Sequence, residues 1–163
     1  MKIALALMAV TGIAIGLAIP TAKPKVTAAP AAQPAAAVPA KDVPVETVLD
    51  RMPSGHFLAV ADVNDEPIRF VVDTGADTVA LTMEDAKRAH VAFDPSQFQV
   101  VGRGAAGDVR GQEVRIADIV LDGKRATDVR AVVLEGSDMS LLGHTYLRRL
   151  RNVQISNDKM TLR

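Results

Sequence analysis

Phe70-Val71-Val72-Asp73-Thr74-Gly75-Ala76-Asp77-Thr78 is the stretch of this 163-residue chain whose residue types and spacing could do chemistry. An apolar run delivers one acid, Asp73, straight into Thr and Gly, with a second acid, Asp77, just beyond. A carboxyl held at a strand end can serve as general acid or base. The same Asp-x-Gly spacing is also ordinary turn chemistry and needs no further role. Other chemistries have less to stand on. The chain has no cysteine, which excludes disulfides, thiolate metal sites and a cysteine nucleophile. His56 and His90 sit in no metal-ligand spacing, so no metal and no cofactor is expected. A Ser–His–Asp arrangement stays open, although no Gly-x-Ser-x-Gly elbow occurs. Gly102 to Gly107 is glycine-rich but lacks the Lys-Ser/Thr and the helix of a phosphate loop.

The elements that must position Asp73 are short strands punctuated by turns. Phe57 to Val63 and Ile68 to Val72 are rich in strand formers, and Asn64-Asp65-Glu66-Pro67 between them reads as a hairpin turn. Thr82 is placed to cap a short helix through about Ala89, with Asp85 in an approximate capping-box position. Val114 to Leu121 and Thr127 to Leu134 are joined across Asp122-Gly123, a strong signal for a turn with positive φ. A second short helix fits Thr145 to Leu150, and Val153 to Ser156 and Lys159 to Leu162 form a last hairpin about Asn157-Asp158. Several strands at this spacing with one or two short helices predict an all-β, barrel-like domain over residues 45–163.

Two segments precede it. Residues 1–19 contain an uncharged apolar run, Ile3 to Ile19, which as a helix would reach about 26 Å, slightly short of a ~30 Å hydrocarbon core. It reads as a membrane anchor, with a cleaved signal peptide as the competing reading because Gly16-Leu17-Ala18 offers small residues to a signal peptidase. Lys2 lies on one side and Lys23 and Lys25 on the other, so charge does not orient it. Residues 20–44 are rich in Pro and Ala, which forbids both a continuous helix and a core and predicts a semi-extended linker.

Nineteen basic and nineteen acidic residues give zero formal net charge, and no basic stripe of the kind that neutralises phosphates is visible, so no nucleic-acid partner is expected. Arg148, Arg149 and Arg151 read as a solvated helix end.

Val71-Val72-Asp73-Thr74-Gly75-Ala76-Asp77-Thr78 resembles the active-site loop of retroviral-type (retropepsin-like) aspartic proteases, most closely the bacterial single-span, membrane-associated branch of that clan. Ser140-Leu141-Leu142-Gly143 followed by His144-Thr145-Tyr146-Leu147 resembles the second signature of these proteases, and Gly104-Ala105-Ala106-Gly107 falls where they carry a mobile flap. The likeness extends from about Gly55 to Arg163. It implies a closed acid-protease β-barrel and an aspartic endopeptidase acting on polypeptides. Asp73 would be the catalytic acid, Thr74, Gly75 and Ala76 its loop, and Asp77, Leu141, Leu142 and Gly143 the residues lining or supporting the cleft. Asp-Thr-Gly occurs once in the chain, so the second carboxyl is expected from Asp73 of a homodimeric partner. The implied setting is a bacterial inner membrane, spanned once, with the protease domain in the periplasm. The alternative is a non-catalytic dimeric β-domain that keeps the fold as a binding or assembly module.

The viral relatives carry Arg where this chain has His144. If His144 pairs with Asp77, the bridge needs imidazolium, and dimer stability or activity should fall towards neutral pH as the histidine passes its ordinary pKa near ~6.5. The competing expectation is a histidine satisfied by a backbone carbonyl.

Overall fold

Three pairs of residues with left-handed backbone reverse the chain: Asn64 and Asp65 (φ 49° and 70°), Asp122 and Gly123 (47° and 75°), and Asn157 and Asp158 (48° and 59°). Two successive positive φ values match the twist of the strands they join, which is why Asn, Asp and Gly occupy them. The computed structural model describes residues 43–104 and 107–163; the expected anchor and nearly all of the expected linker lie outside the described residues. Residues Ala37–Arg163 are a compact unit of their own.

The described elements are β1 (Thr47–Asp50), β2 (Leu58–Val63), β3 (Glu66–Val72), β4 (Val79–Thr82), α1 (Met83–Arg88), a short 3-10 turn (Pro95–Gln97), β5 (Gln99–Gly104), β6 (Gly107–Leu121), β7 (Lys124–Leu134), β8 (Ser140–Leu142), α2 (His144–Leu147), β9 (Val153–Ser156) and β10 (Lys159–Leu162). The main sheet runs β2-β3-β8-β4-β7-β6 and closes where β6 returns to β2, pairing Asp62 with Val120 and Val63 with Ile119. Six strands thus make a closed barrel, with β5 attached to β6 outside the ring. The barrel encloses Ile68, Phe70, Val79, Leu81, Ile116, Ile119, Val129 and Leu142, all essentially inaccessible to water. A second, three-stranded sheet, β1-β10-β9, joins the two ends of the domain.

Several boundaries differ from the sequence-based expectation, each for a physical reason. The first hairpin turns on two residues rather than four, because Glu66 and Pro67 pair with Val63 and Asp62. β6 begins at Gly107, seven residues before Val114, because its glycine-rich start pairs with both β5 and β7. The second helix is His144–Leu147 and stops short of Leu150. Thr82 does cap α1, its hydroxyl accepting from the Asp85 amide at 3.0 Å. The reciprocal half of the capping box is absent: Thr82 N–H donates instead to Ser140 Oγ (3.1 Å), whose hydroxyl donates to Asp85 Oδ2 (2.6 Å).

Tyr146, the chain's only tyrosine, is fully buried and donates its hydroxyl to Lys124 O at 2.7 Å. Burial raises its pKa well above the ordinary value of 10.0, with a smaller push from Asp122. The unfolded chain then loses the phenolic proton first, so stability falls as pH rises past about 10. Lys124 has the opposite sign. Burial lowers its pKa, partly offset by Asp122, so its contribution to stability rises with pH towards 10.5. The net loss should therefore set in beyond that point. In an alkaline titration, tyrosinate absorbance should appear only together with unfolding. A tyrosine that ionises near pH 10 in the intact fold would contradict this burial.

Candidate active site

The loop bearing Asp73 runs from the end of β3 to the start of β4, and β8 is inserted between those two strands. β8 lies parallel to β3, with Val71 opposite Leu141 and Val72 opposite Leu142, and antiparallel to β4, with Ala80 opposite Leu141. Both strands that carry the loop are therefore braced by one short third strand. Asp73 N–H donates to Leu142 O at 3.2 Å, which anchors the loop's first residue. The turn closes through Ala76 N–H to Asp73 O at 3.3 Å. Gly75 N–H donates to Asp73 Oδ1 at 2.8 Å, fixing one oxygen of the carboxylate from within the loop.

The far side is held by the second signature. His144 N–H donates to Ala76 O at 2.8 Å. A methyl group on Gly143 would lie 2.2 Å from Thr78 O and 2.7 Å from Ala76 O, so the loop rests directly on a residue without a side chain. Thr145, buried, accepts from Val79 N–H at 2.9 Å and thereby holds the first residue of β4.

Asp73 is partly exposed, and Thr74, Gly75 and Asp77 are exposed. Leu142 and Gly143 are buried beneath the loop, so their part is support, whereas Leu141 keeps some exposure. Gly104 and Gly107 pair across the β5–β6 hairpin; Ala105 and Ala106 lie outside the described residues. His144 does not pair with Asp77 within this chain. It meets the loop through its backbone amide, its side chain is exposed, and no ion pair joins the two among the described residues. The expected weakening towards neutral pH thus loses its geometric basis within a single chain. Among the described residues no cluster of His, Cys, Asp or Glu is placed to hold a metal ion. Four cavities among the described residues are lined by residues outside 73–78.

Ser140 and Thr145 are the residues that reading by motif assigned no role. Both hydroxyls satisfy backbone amides at the two ends of β4. The available signal was a hydroxyl residue close on either side of the apolar Leu141-Leu142-Gly143. Thr145→Val would strand the Val79 amide in the core and should cost about 1–3 kcal/mol, whereas Thr145→Ser should cost markedly less. Urea unfolding midpoints would check the difference; equal midpoints for the two variants would show that the bond contributes little.

A profile of the family described as gag-polyprotein putative aspartyl protease matches residues 59–149. The chain is 36% identical over 126 residues to an uncharacterized protein in the cobV 5′ region of a Sinorhizobium species, across 72% of this chain and 52% of that one. It is 31% identical over 117 residues to an uncharacterized protein of Rickettsia prowazekii (strain Madrid E), across 72% and 51%. The chain thus spans about half the length of the curated relatives it matches. Among solved structures, it is similar to a retropepsin-like aspartic protease from Rickettsia conorii, with a TM-score of 0.60 and 32% identity over 72% of this chain and 90% of that one.

Proposed function

This chain belongs to the retropepsin-like aspartic proteases, and from that premise we propose that it is an endopeptidase completed by a second copy of itself. The observation that carries the reading is the Asp73 loop: one partly exposed carboxylate, braced at both ends, in a chain with a single Asp-Thr-Gly. Two such carboxyls brought together across a two-fold axis cannot both ionise easily, so the pair shares one proton. The ionised member takes a proton from a water whose oxygen attacks the peptide carbonyl carbon. The protonated member gives its proton to the carbonyl oxygen. The newly protonated member then gives its proton to the amide nitrogen while the other takes one from a hydroxyl of the tetrahedral gem-diol; the C–N bond breaks, acid and amine leave, and the pair again holds one proton. The apparent pKa values belong to the pair rather than to either residue.

Thr74 would hold the partner's loop across the axis, and Ala76 and Asp77 would line the cleft beside an extended substrate. The β5–β6 hairpin around Gly104 and Gly107 would cover it. Polypeptide in this cleft is recognised as an added strand, with pockets setting preference. Ile3 to Ile19 would tether the domain to a bacterial inner membrane, facing the periplasm.

Mixed dimers test the central claim. When wild-type and Asp73→Asn chains are refolded together, hydrolysis of denatured protein should fall with the square of the wild-type fraction, because mixed pairs are inert. A linear fall would mean that each subunit works alone. No hydrolysis by the wild-type chain at mildly acidic to neutral pH would instead favour a non-catalytic binding module.

A further inference from the structure

Lys124, Arg125, Arg149, Arg151 and Arg163 line one cavity of about 320 Å³ together with a single acid, Glu46. The cavity lies apart from the Asp73 loop, and its floor is apolar, with Ala126, Tyr146 and Leu150. Four of the five cations already have partners. Lys124 Nζ donates to Thr47 Oγ1 at 2.7 Å and to Val45 O, Arg125 pairs with Asp118, and Arg163 pairs with Glu46. Arg149 donates to two backbone carbonyls, Thr127 O at 2.6 Å and Asp128 O at 3.2 Å, and has no carboxylate partner among the described residues. Arg151 is exposed, and its side chain has no hydrogen bond or ion pair among the described residues. The pair that sequence alone presents as a solvated helix end thus sits at the mouth of a cavity, joined by cations from β7 and the chain's last residue.

Guanidinium groups bind phosphate through paired N–H donors, and two of them with unspent donors at one mouth make a site for that group. The volume is at the lower end for small-molecule sites, enough for a headgroup and the first carbons beyond it, which the apolar floor would accept. Pro44, Val45 and Glu46 form part of the wall, so the segment that precedes the domain in sequence is attached at the rim of this cavity. We propose that the cavity binds the phosphodiester headgroup of an anionic phospholipid and so docks the domain on a bilayer. The physiological setting rests on the membrane-tether reading above; the binding does not. A semi-extended Pro/Ala-rich linker over residues 20–42, at ~3.1 Å per residue, would reach at most about 70 Å, which keeps the domain at the membrane surface and makes docking intramolecular, so a weak site suffices.

The compact unit of residues 37–163 lacks the apolar segment and isolates the cavity's own contribution. It should float with vesicles containing phosphatidylglycerol and not with pure phosphatidylcholine, and added salt should release it. Residues 37–163 carry 16 basic and 19 acidic residues, since Lys2, Lys23 and Lys25 precede them, so attraction to an anionic surface must come from a local patch. R149Q/R151Q should weaken binding about tenfold or more, the scale for two charges at such a surface. R69Q/K87Q, which removes equal charge from exposed positions elsewhere, should change it less than about twofold. Equal flotation with both vesicles, or equal loss in both double variants, overturns the proposal. So does thermal stabilisation by soluble glycerol phosphate without vesicle binding, which would assign the site to a free phosphate. None of these readouts involves hydrolysis, and carbonate extraction of the full chain tests the tether separately.

Discussion

Asp73→Asn should lower kcat for the proposed peptide hydrolysis by about 10²–10⁴-fold while leaving the fold and the proposed dimer intact. Asn has the size of Asp and keeps an oxygen where Gly75 N–H donates to Asp73 Oδ1 at 2.8 Å, so the loop retains its internal bond. What it loses is the ability to hold or release a proton. A dyad needs one member to accept from water and the other to donate to the carbonyl, and general acid–base catalysis contributes on this scale. Removing the charge also removes repulsion between the two carboxyls, so dimerisation should hold or tighten. The check is a fluorogenic peptide assay beside analytical ultracentrifugation of both proteins. Activity within about tenfold of wild type would remove Asp73 from the chemistry, whatever the fold.

The second large effect is expected at Gly143. Its added methyl would lie 2.2 Å from Thr78 O, 2.7 Å from Ala76 O and 2.8 Å from Thr78 C. All three atoms are backbone, and both residues belong to the loop that carries Asp73, so no side chain can rotate away to make room. Gly143→Ala should therefore cost about 3 kcal/mol, towards the upper end for overpacking, and lower the melting midpoint by roughly 10 °C. Activity should fall further than the lost stability explains, because relief of the clash moves the Asp73 loop. Gly75→Ala is the comparison: its methyl would sit 3.3 Å from Asp73 Oδ1, a side-chain atom that can yield by a few tenths of an ångström. That variant should fold nearly as well as wild type and lose activity through hindered approach of substrate. A thermal melt with a parallel activity assay distinguishes them. A Gly143→Ala protein as stable as wild type would mean that the loop does not rest on that position.

The comparison of the two glycines shows how the site was legible. Asp73 and its loop could be read from nine consecutive residues, because an acid at the end of an apolar strand before Thr-Gly is a local pattern. That Gly143 carries the loop followed only from the likeness of Leu141-Leu142-Gly143 to a known signature; the contact itself is made across 65 or more residues. Ser140 and Thr145 passed without a role, since each hydroxyl serves an amide 58 or 66 positions away. The cavity cations failed to register for the same reason: Lys124 and Arg163 are distant from Arg149 and Arg151 until β7, α2 and the chain's end are packed together.

Sequence by itself determined the features whose energy is spent within a few residues. Steric preference for positive φ set the turns at Asn64-Asp65, Asp122-Gly123 and Asn157-Asp158, and a hydroxyl within reach of an amide set the cap at Thr82. Tertiary structure decided what depends on pairing between distant segments. Thr47–Asp50 is a strand because β10 lies beside it, Ser140–Leu142 because β3 and β4 flank it, and Gly107–Val114 because β5 and β7 supply partners for its glycine-rich backbone. Strand hydrogen bonds are made to another part of the chain, so a short or irregular strand carries little mark of itself until its neighbour is in place.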